Sequence, residues 1–259
     1  MTKIIDKWKQ LNWDLYSVLD RINETLIVKV KRDIFINIAG GYIHKATKTL
    51  KAVNILYDNS LAEQAQALVR ILFELRLNFD CFMKFASNDP KNACKRVIDS
   101  MMLEKVKQAR ASEFAGIPES MQNKLIKKEE EIAKNYSENE LKKIRKFGFT
   151  GMPIEQRAKF TGHETAYHIV YRNFSRNVHS TDYTESYLRD PQNRGTGYAD
   201  YILSRDVASL YTAHFSAGGI AEIANQVFSL NFDKELYEIG QRQQKIKDVP
   251  NKNITTRWT

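Results

Sequence analysis

One ten-residue run gathers the side chains that phosphoryl chemistry uses: Tyr171-Arg172-Asn173-Phe174-Ser175-Arg176-Asn177-Val178-His179-Ser180. Wound as a helix at about 100° per residue with Arg172 at zero, it places His168 at about −40° and Ser175 at about −60°. Arg176 then falls at about +40° and His179 at about −20°. These five share one stripe, while Tyr167, Val170, Tyr171, Phe174 and Val178 gather on the far side. Such a helix anchors with one face and presents two arginines and two histidines with the other. Histidine exchanges a proton near neutral pH, and arginine keeps its charge and a donor fork suited to phosphate. His179 could therefore activate a ribose 2′-hydroxyl or protonate a leaving 5′-oxygen. Arg172 could hold the charge developing on the phosphate oxygens, with no metal required. The plainer alternative is a polar surface whose Arg and His pair with acids of a neighbouring helix.

Other residues could support that pair. Asn173 and Arg176 stand beside it, and Arg176 competes with Arg172 for the phosphate. Arg70 and Glu74 lie at i and i+4 in an otherwise apolar helix, where charges are rarely buried unless paired. They form either an ion pair that fixes helix register or a layer in which Glu74 orients Arg172 or His179. Tyr171 sits at the edge of the apolar face, as core or as a hydroxyl reaching the site. Ser180, Thr181 and Tyr183 open a long unpatterned stretch, a plain loop or a contact to sugar and base. Phosphate-binding loops, a dinucleotide fingerprint and the nucleophile elbow are all absent. His163-Glu164 begins a zinc-protease pattern, but Tyr167 stands where its second histidine belongs. His44, His163, His168, His179 and His214 are scattered, so neither metal nor cofactor is expected. Cys81 and Cys94 read as small buried apolar residues.

These residues need a scaffold, and the composition says which. The chain has 259 residues, 42% of them hydrophobic, but only 11 Gly and 5 Pro, which favours long helices over a many-stranded sandwich or barrel. Apolar spacing predicts helices over Asp6–Val28, with Trp8, Leu11, Leu15, Leu19 and Ile22 on one stripe, and over Arg32–Tyr57. The second carries Phe35, Ile38, Tyr42, Ala46, Leu50 and Ile55, and a Gly40-Gly41 pair that would permit a close helix crossing. Asn59-Ser60, with Glu63 completing a capping box, opens a central apolar helix, Leu61–Ala86. Asp89-Pro90 starts the next, to Ser112. Residues 118–147 predict a projecting, charged and solvated hairpin broken near Tyr136-Ser137. Its Lys124, Lys127, Lys128, Lys142, Lys143, Arg145 and Lys146 could track an RNA backbone. A short helix starts at Pro153, another spans Glu164–Ser180, and Ser204-Arg205-Asp206 opens a long one through Leu230. A last helix covers Asp233–Gln244. The expectation is an all-α multi-helix bundle, one domain over residues 1–245 with a flexible tail over 246–259.

The charge is +9, from 40 Lys+Arg against 31 Asp+Glu, which suits a polyanionic partner. Nowhere do eighteen apolar residues run together, so no membrane span is expected. Met1–Asp20 does not read as a secretory signal, and with only two cysteines a cytoplasmic setting is expected.

Arg172-Asn173, five further residues and His179 resemble the R-x(4–6)-H motif of the HEPN ribonuclease superfamily, in which a polar residue, often Asn, follows the Arg. The chain also resembles a bacterial family of uncharacterised helical domains with Arg-x-x-x-Glu in a central helix, here Arg70 and Glu74, and a later Tyr/His helix, here Tyr171 and His179. The HEPN resemblance implies an all-α, metal-independent endoribonuclease, paired motifs across a homodimer, and a toxin or phage-defence effector. Six residues separate Arg172 from His179, the upper end of that range. Some members of the superfamily bind without cutting. The alternative is thus a non-catalytic helical module for RNA, a nucleotide or a partner, such as an inhibitory or sensor protein. A weaker one is a scaffold meeting another protein through apolar helices.

Overall fold

A computed structural model of the chain describes residues 2–29, 33–111, 118–170 and 197–247. Among the described residues every regular element is an α-helix: α1 (Thr2–Lys29), α2 (Ile34–Asp58), α3 (Ala62–Asn88), α4 (Pro90–Ala111), α5 (Glu119–Ala133), α6 (Glu138–Phe147), α7 (Ile154–Thr161), α8 (Gly197–Phe228) and α9 (Asp233–Lys247). Residues 164–170 are helical as well. The fold is all-α. No helix among the described residues is long and apolar enough to cross a membrane. The chain divides into two compact units, Met1–Arg76 with Thr165–Thr259, and Leu77–Glu164.

In the first unit the α1 stripe is buried as its spacing predicts, with Leu11, Leu15, Leu19 and Ile22 fully enclosed. Helix α2 packs antiparallel to α1. Trp13 Nε1 donates to Asp58 Oδ2 at 2.8 Å, with Lys9 on the same carboxylate. At the other end Asn23 meets His44 at 3.5 Å. Helix α8 runs parallel to α1, pairing Trp8 edge-on with Tyr211 and placing Leu15 beside Gly218. Asn12 Nδ2 donates to the Leu210 carbonyl at 3.1 Å, which leaves its Oδ1 to accept from His214 Nδ1 at 3.0 Å. Small residues on α8 (Ala213, Ala217, Ala221 and Ala224) are all fully buried there. Helix α9 returns antiparallel along α1, tied by Arg242 to Asp14 and by Arg21 to Glu235.

Several expectations are corrected here. Helix α2 buries Ala39, Ile43, Ala46, Leu50, Val53 and Tyr57, not Phe35, Ile38, Tyr42 and Ile55. It carries apolar residues on more than one face, so periodicity alone leaves two phases open. A Cβ at Gly40 or Gly41 would meet nothing within 4 Å, so that pair marks no close crossing. Helix α3 starts at Ala62, with Ser60 in the left-handed region at φ 60°, so Ser60 stops short of the cap position and Glu63 turns to Arg205 instead. Helix α8 begins at Gly197, not Ser204, because nothing between Tyr198 and Leu203 breaks a helix. Helix α9 runs to Lys247 with Ile246 buried, past the expected end at Gln244, and residues 248–259 of the expected tail lie outside the described residues.

In the second unit α5 and α6 pack on α4, and residues 77–88 of α3 meet the α7 end, with Phe85 against Phe149 and Phe160. Phe79 and Phe82 are fully buried, as are the thiols of Cys81 and Cys94. Arg157 stitches the α7 end together. Its Nε donates to the Met152 carbonyl at 2.8 Å, Nη1 to Asn78 Oδ1 at 2.8 Å and Nη2 to the Phe147 carbonyl at 3.2 Å. The charged segment forms two helices, α5 and α6, with the break near Tyr136-Ser137 as its sequence predicts. Ser137 caps α6 in a full capping box with Glu140. It is not solvated on every side. Ile132, Leu141 and Ile144 form a buried cluster with Leu103 of α4, each side chain worth about 1.5–3 kcal/mol of burial.

Candidate functional site

Of the residues singled out for chemistry, Tyr171, Arg172, Asn173, Arg176, His179 and Ser180 lie outside the described residues; His168, Arg70 and Glu74 lie within them. The approach to the Arg/His run is well defined. Gly162 closes α7 at φ 80°, a left-handed conformation that glycine adopts without strain. The His163 amide then donates to the Ala158 carbonyl at 2.7 Å, and a new helix begins at residue 164. Val170 is 4% exposed and Ile169 54%, so this helix has a distinct inner face. His168 is half-buried and sits edge-on to Tyr167 at 5.5 Å. Its Nδ1 is enclosed without a hydrogen bond among the described residues.

Helix α3 carries Gln66, Arg70 and Glu74 at four-residue spacing, hence on one line. Arg70 Nε donates to Glu74 Oε1 at 3.1 Å, so the i, i+4 pair exists as the spacing predicts. One turn and more before it, Glu63 pairs with Arg205 of α8 at 3.1 Å, and Gln66 lies beside the buried Asp206. Burial raises the Asp206 carboxyl above its ordinary value, and the Arg205 charge and the Gln66 hydrogen bond oppose that only in part. The Tyr57 hydroxyl, also held up by burial, lies next to Ser209. Asn54 is 2% exposed, and neither end of its amide is hydrogen-bonded among the described residues. The junction of α2, α3 and α8 is thus an enclosed polar seam. It can order water or hold its own hydrogen bonds.

Two arrangements in the second unit escape sequence reasoning. Asp80 Oδ2 and His163 Nε2 meet at 2.7 Å, joining residues 83 apart. The neighbouring Cys81 thiol is pushed up to about 12 by burial, so it stays protonated and is no nucleophile. Glu129 is buried beneath the charged hairpin and accepts from both Arg110 of α4 and Arg145 of α6. A signal existed for Glu129: it falls in helical register with Leu125, Ile132 and Tyr136, an inward-facing line. No spacing rule reaches across the 83 residues of the other pair. Among the described residues no three His, Cys, Asp or Glu side chains gather as a metal site would need.

The sequence model of a family of unknown function, DUF5677, matches residues 37–196, more than half of the chain. The chain belongs to the DUF5677 family. No curated protein and no solved structure matches it. The DUF5677 match takes in the Arg70–Glu74 pair, the Asp80–His163 pair, the hairpin and the whole Arg172–His179 run, and it leaves out α1, α8 and α9. In this DUF5677 chain the residues outside the match thus supply much of the first unit's packing, while the chemistry-bearing side chains fall inside it.

Proposed function

We propose that this DUF5677 chain is a HEPN-like endoribonuclease that cuts RNA without a metal, acts as a homodimer with its two Arg/His motifs facing, and serves as a cytoplasmic toxin or phage-defence effector held by an inhibitory or sensor partner. The observation that carries the reading is the sequence spacing of Arg172 and His179, with six residues between them, in a chain of charge +9 whose described residues are all-α. Supporting it is the helix that leads into the run, whose Val170 is buried on the side assigned to anchoring.

In this reading His179 takes the proton from a ribose 2′-hydroxyl. The freed oxygen attacks the adjacent phosphorus, the bond to the 5′-oxygen breaks, and that oxygen leaves with the proton that the protonated His179 gives up. Products are a 2′,3′-cyclic phosphate and a 5′-hydroxyl. Arg172 carries the extra negative charge of the phosphorus centre while bonds change, the point at which a fixed cation lowers the barrier most. His168 and Arg176, on the same stripe, hold flanking phosphates, and Glu74 orients the arginine. The test is incubation with total RNA in EDTA. Cutting should persist in chelator and disappear in His179→Ala and Arg172→Ala. Equal cutting by His179→Ala removes the assignment, and tight RNA binding with no cutting by the unaltered protein replaces it with a binding module.

A further inference from the structure

The second unit holds a groove of about 470 Å³ between α4 and the α5–α6 hairpin. Its floor is apolar, from Met101, Leu103 and Ile144, and its walls carry Lys107, Arg110, Arg145 and Lys146. Two carboxylates also line it, Glu104 and Glu129. Glu104 faces Lys107 at 3.7 Å on the exposed rim. Glu129 is different. Its side chain is 9% exposed and receives Arg145 Nη2 at 2.7 Å and Arg110 Nη2 from the opposite side. One buried carboxylate therefore holds two guanidiniums from two different helices in fixed positions. Each guanidinium has five donors and spends only some of them on Glu129. The groove keeps two more positive charges than negative ones among these six side chains.

We propose that this groove is a docking channel for the sugar–phosphate backbone of single-stranded RNA, with Arg110 and Arg145 on one phosphate and Lys107 and Lys146 on its neighbours. It rests on the RNA reading above and places a second contact on that substrate, in a unit of its own. Charge complementarity argues for a polyanion. A pre-positioned pair of arginines argues for phosphate over carboxylate, since oxygens of one tetrahedral group can accept from two forks at once. Among the described residues no aromatic ring lines the groove, so the channel reads backbone charge and recognition would be independent of sequence.

The experiment measures affinity of the full chain for a labelled 2′-O-methyl oligouridylate, which 2′-hydroxyl attack cannot cleave, across a salt series. Lys107 and Lys146 are exposed, so Lys107→Gln with Lys146→Gln leaves the buried Arg–Glu–Arg contacts intact. Affinity should fall about five-fold to ten-fold, and the log–log salt slope should shrink by about 1.4, the value for two single-strand phosphate contacts. Lys3→Gln with Lys7→Gln, exposed on α1 and equal in charge, should change neither. An unchanged groove variant overturns the proposal, and so does an equal loss in the α1 variant. Displacement of the oligonucleotide by polyglutamate at matching charge concentration overturns it in favour of an acidic protein. His179→Ala, which tests the nuclease, should bind the oligonucleotide as tightly as the unaltered chain. The two readings therefore fail separately: a lost groove leaves dinucleotide cleavage intact, and a lost nuclease leaves the salt slope intact.

Discussion

Gly219 in the middle of α8 offers a sharp test of how the first unit is packed. A Cβ built on Gly219 would fall on the guanidinium of Arg76, which reaches over from α3 and lies 6.0 Å from the Phe215 ring centroid. Its neighbour Gly218 is the natural control, because a Cβ there meets only Leu15 Cδ2 at 3.8 Å, an ordinary contact. Both alanines gain about 1 kcal/mol of helix propensity. Only Gly219→Ala must move Arg76. That forfeits the cation–π contact with Phe215, about 0.5–2 kcal/mol. Gly219→Ala should therefore be about 0.5–2 kcal/mol less stable than Gly218→Ala. Urea unfolding followed by tryptophan fluorescence reads this, since Trp8 and Trp13 both lie on α1 of the same unit. In an Arg76→Met background the two alanines should become equal. Equal midpoints in the Arg76 chain itself would refute the packing argument.

Asp206→Asn probes the polar seam. A carboxyl whose folded value is raised binds its proton in the folded state beyond the ordinary Asp value of 3.8, so the chain loses stability as pH rises through that titration. The stability of Asp206→Asn minus that of the unaltered chain should thus grow from acid to neutral pH in paired denaturation curves, and a flat difference contradicts the burial argument. Ser137→Ala removes the capping box of α6 and should cost about 0.5–2 kcal/mol in the second unit, read by urea unfolding followed by far-UV circular dichroism; a change near zero means the cap does not hold the turn between α5 and α6.

The legible parts of this fold are the ones where side-chain type and helical period agree. The α1 stripe of Trp8, Leu11, Leu15, Leu19 and Ile22 has one apolar face and lands as expected. Helix α2 has several, and its phase was decided by what Ala39 and Ile43 could reach on α1 and α8. The Arg70–Glu74 pair was visible because both partners sit on one helix. Asp80 with His163 was not, since the two lie 83 residues apart, nor was Arg110 with Glu129 and Arg145, which needs three successive helices to converge on one carboxylate. Glu129 shows the specific trap. A carboxylate in a run of Lys and Glu looks solvated until two arginines close over it.

The first unit closes on itself through contacts such as Asn12 with His214, 202 residues apart. On a ribosome adding about 5–20 residues per second, α1 and α2 wait roughly ten to forty seconds for α8 to exist. Throughout that interval Trp8 lacks Tyr211 and Leu15 lacks the close approach of Gly218. The second unit, by contrast, is drawn from one unbroken stretch, Leu77–Glu164, and has its whole core in hand before α8 is made. The order of birth is thus written into the topology: the middle matures while the ends are still being joined, and nascent α1 is the stretch most in need of a chaperone.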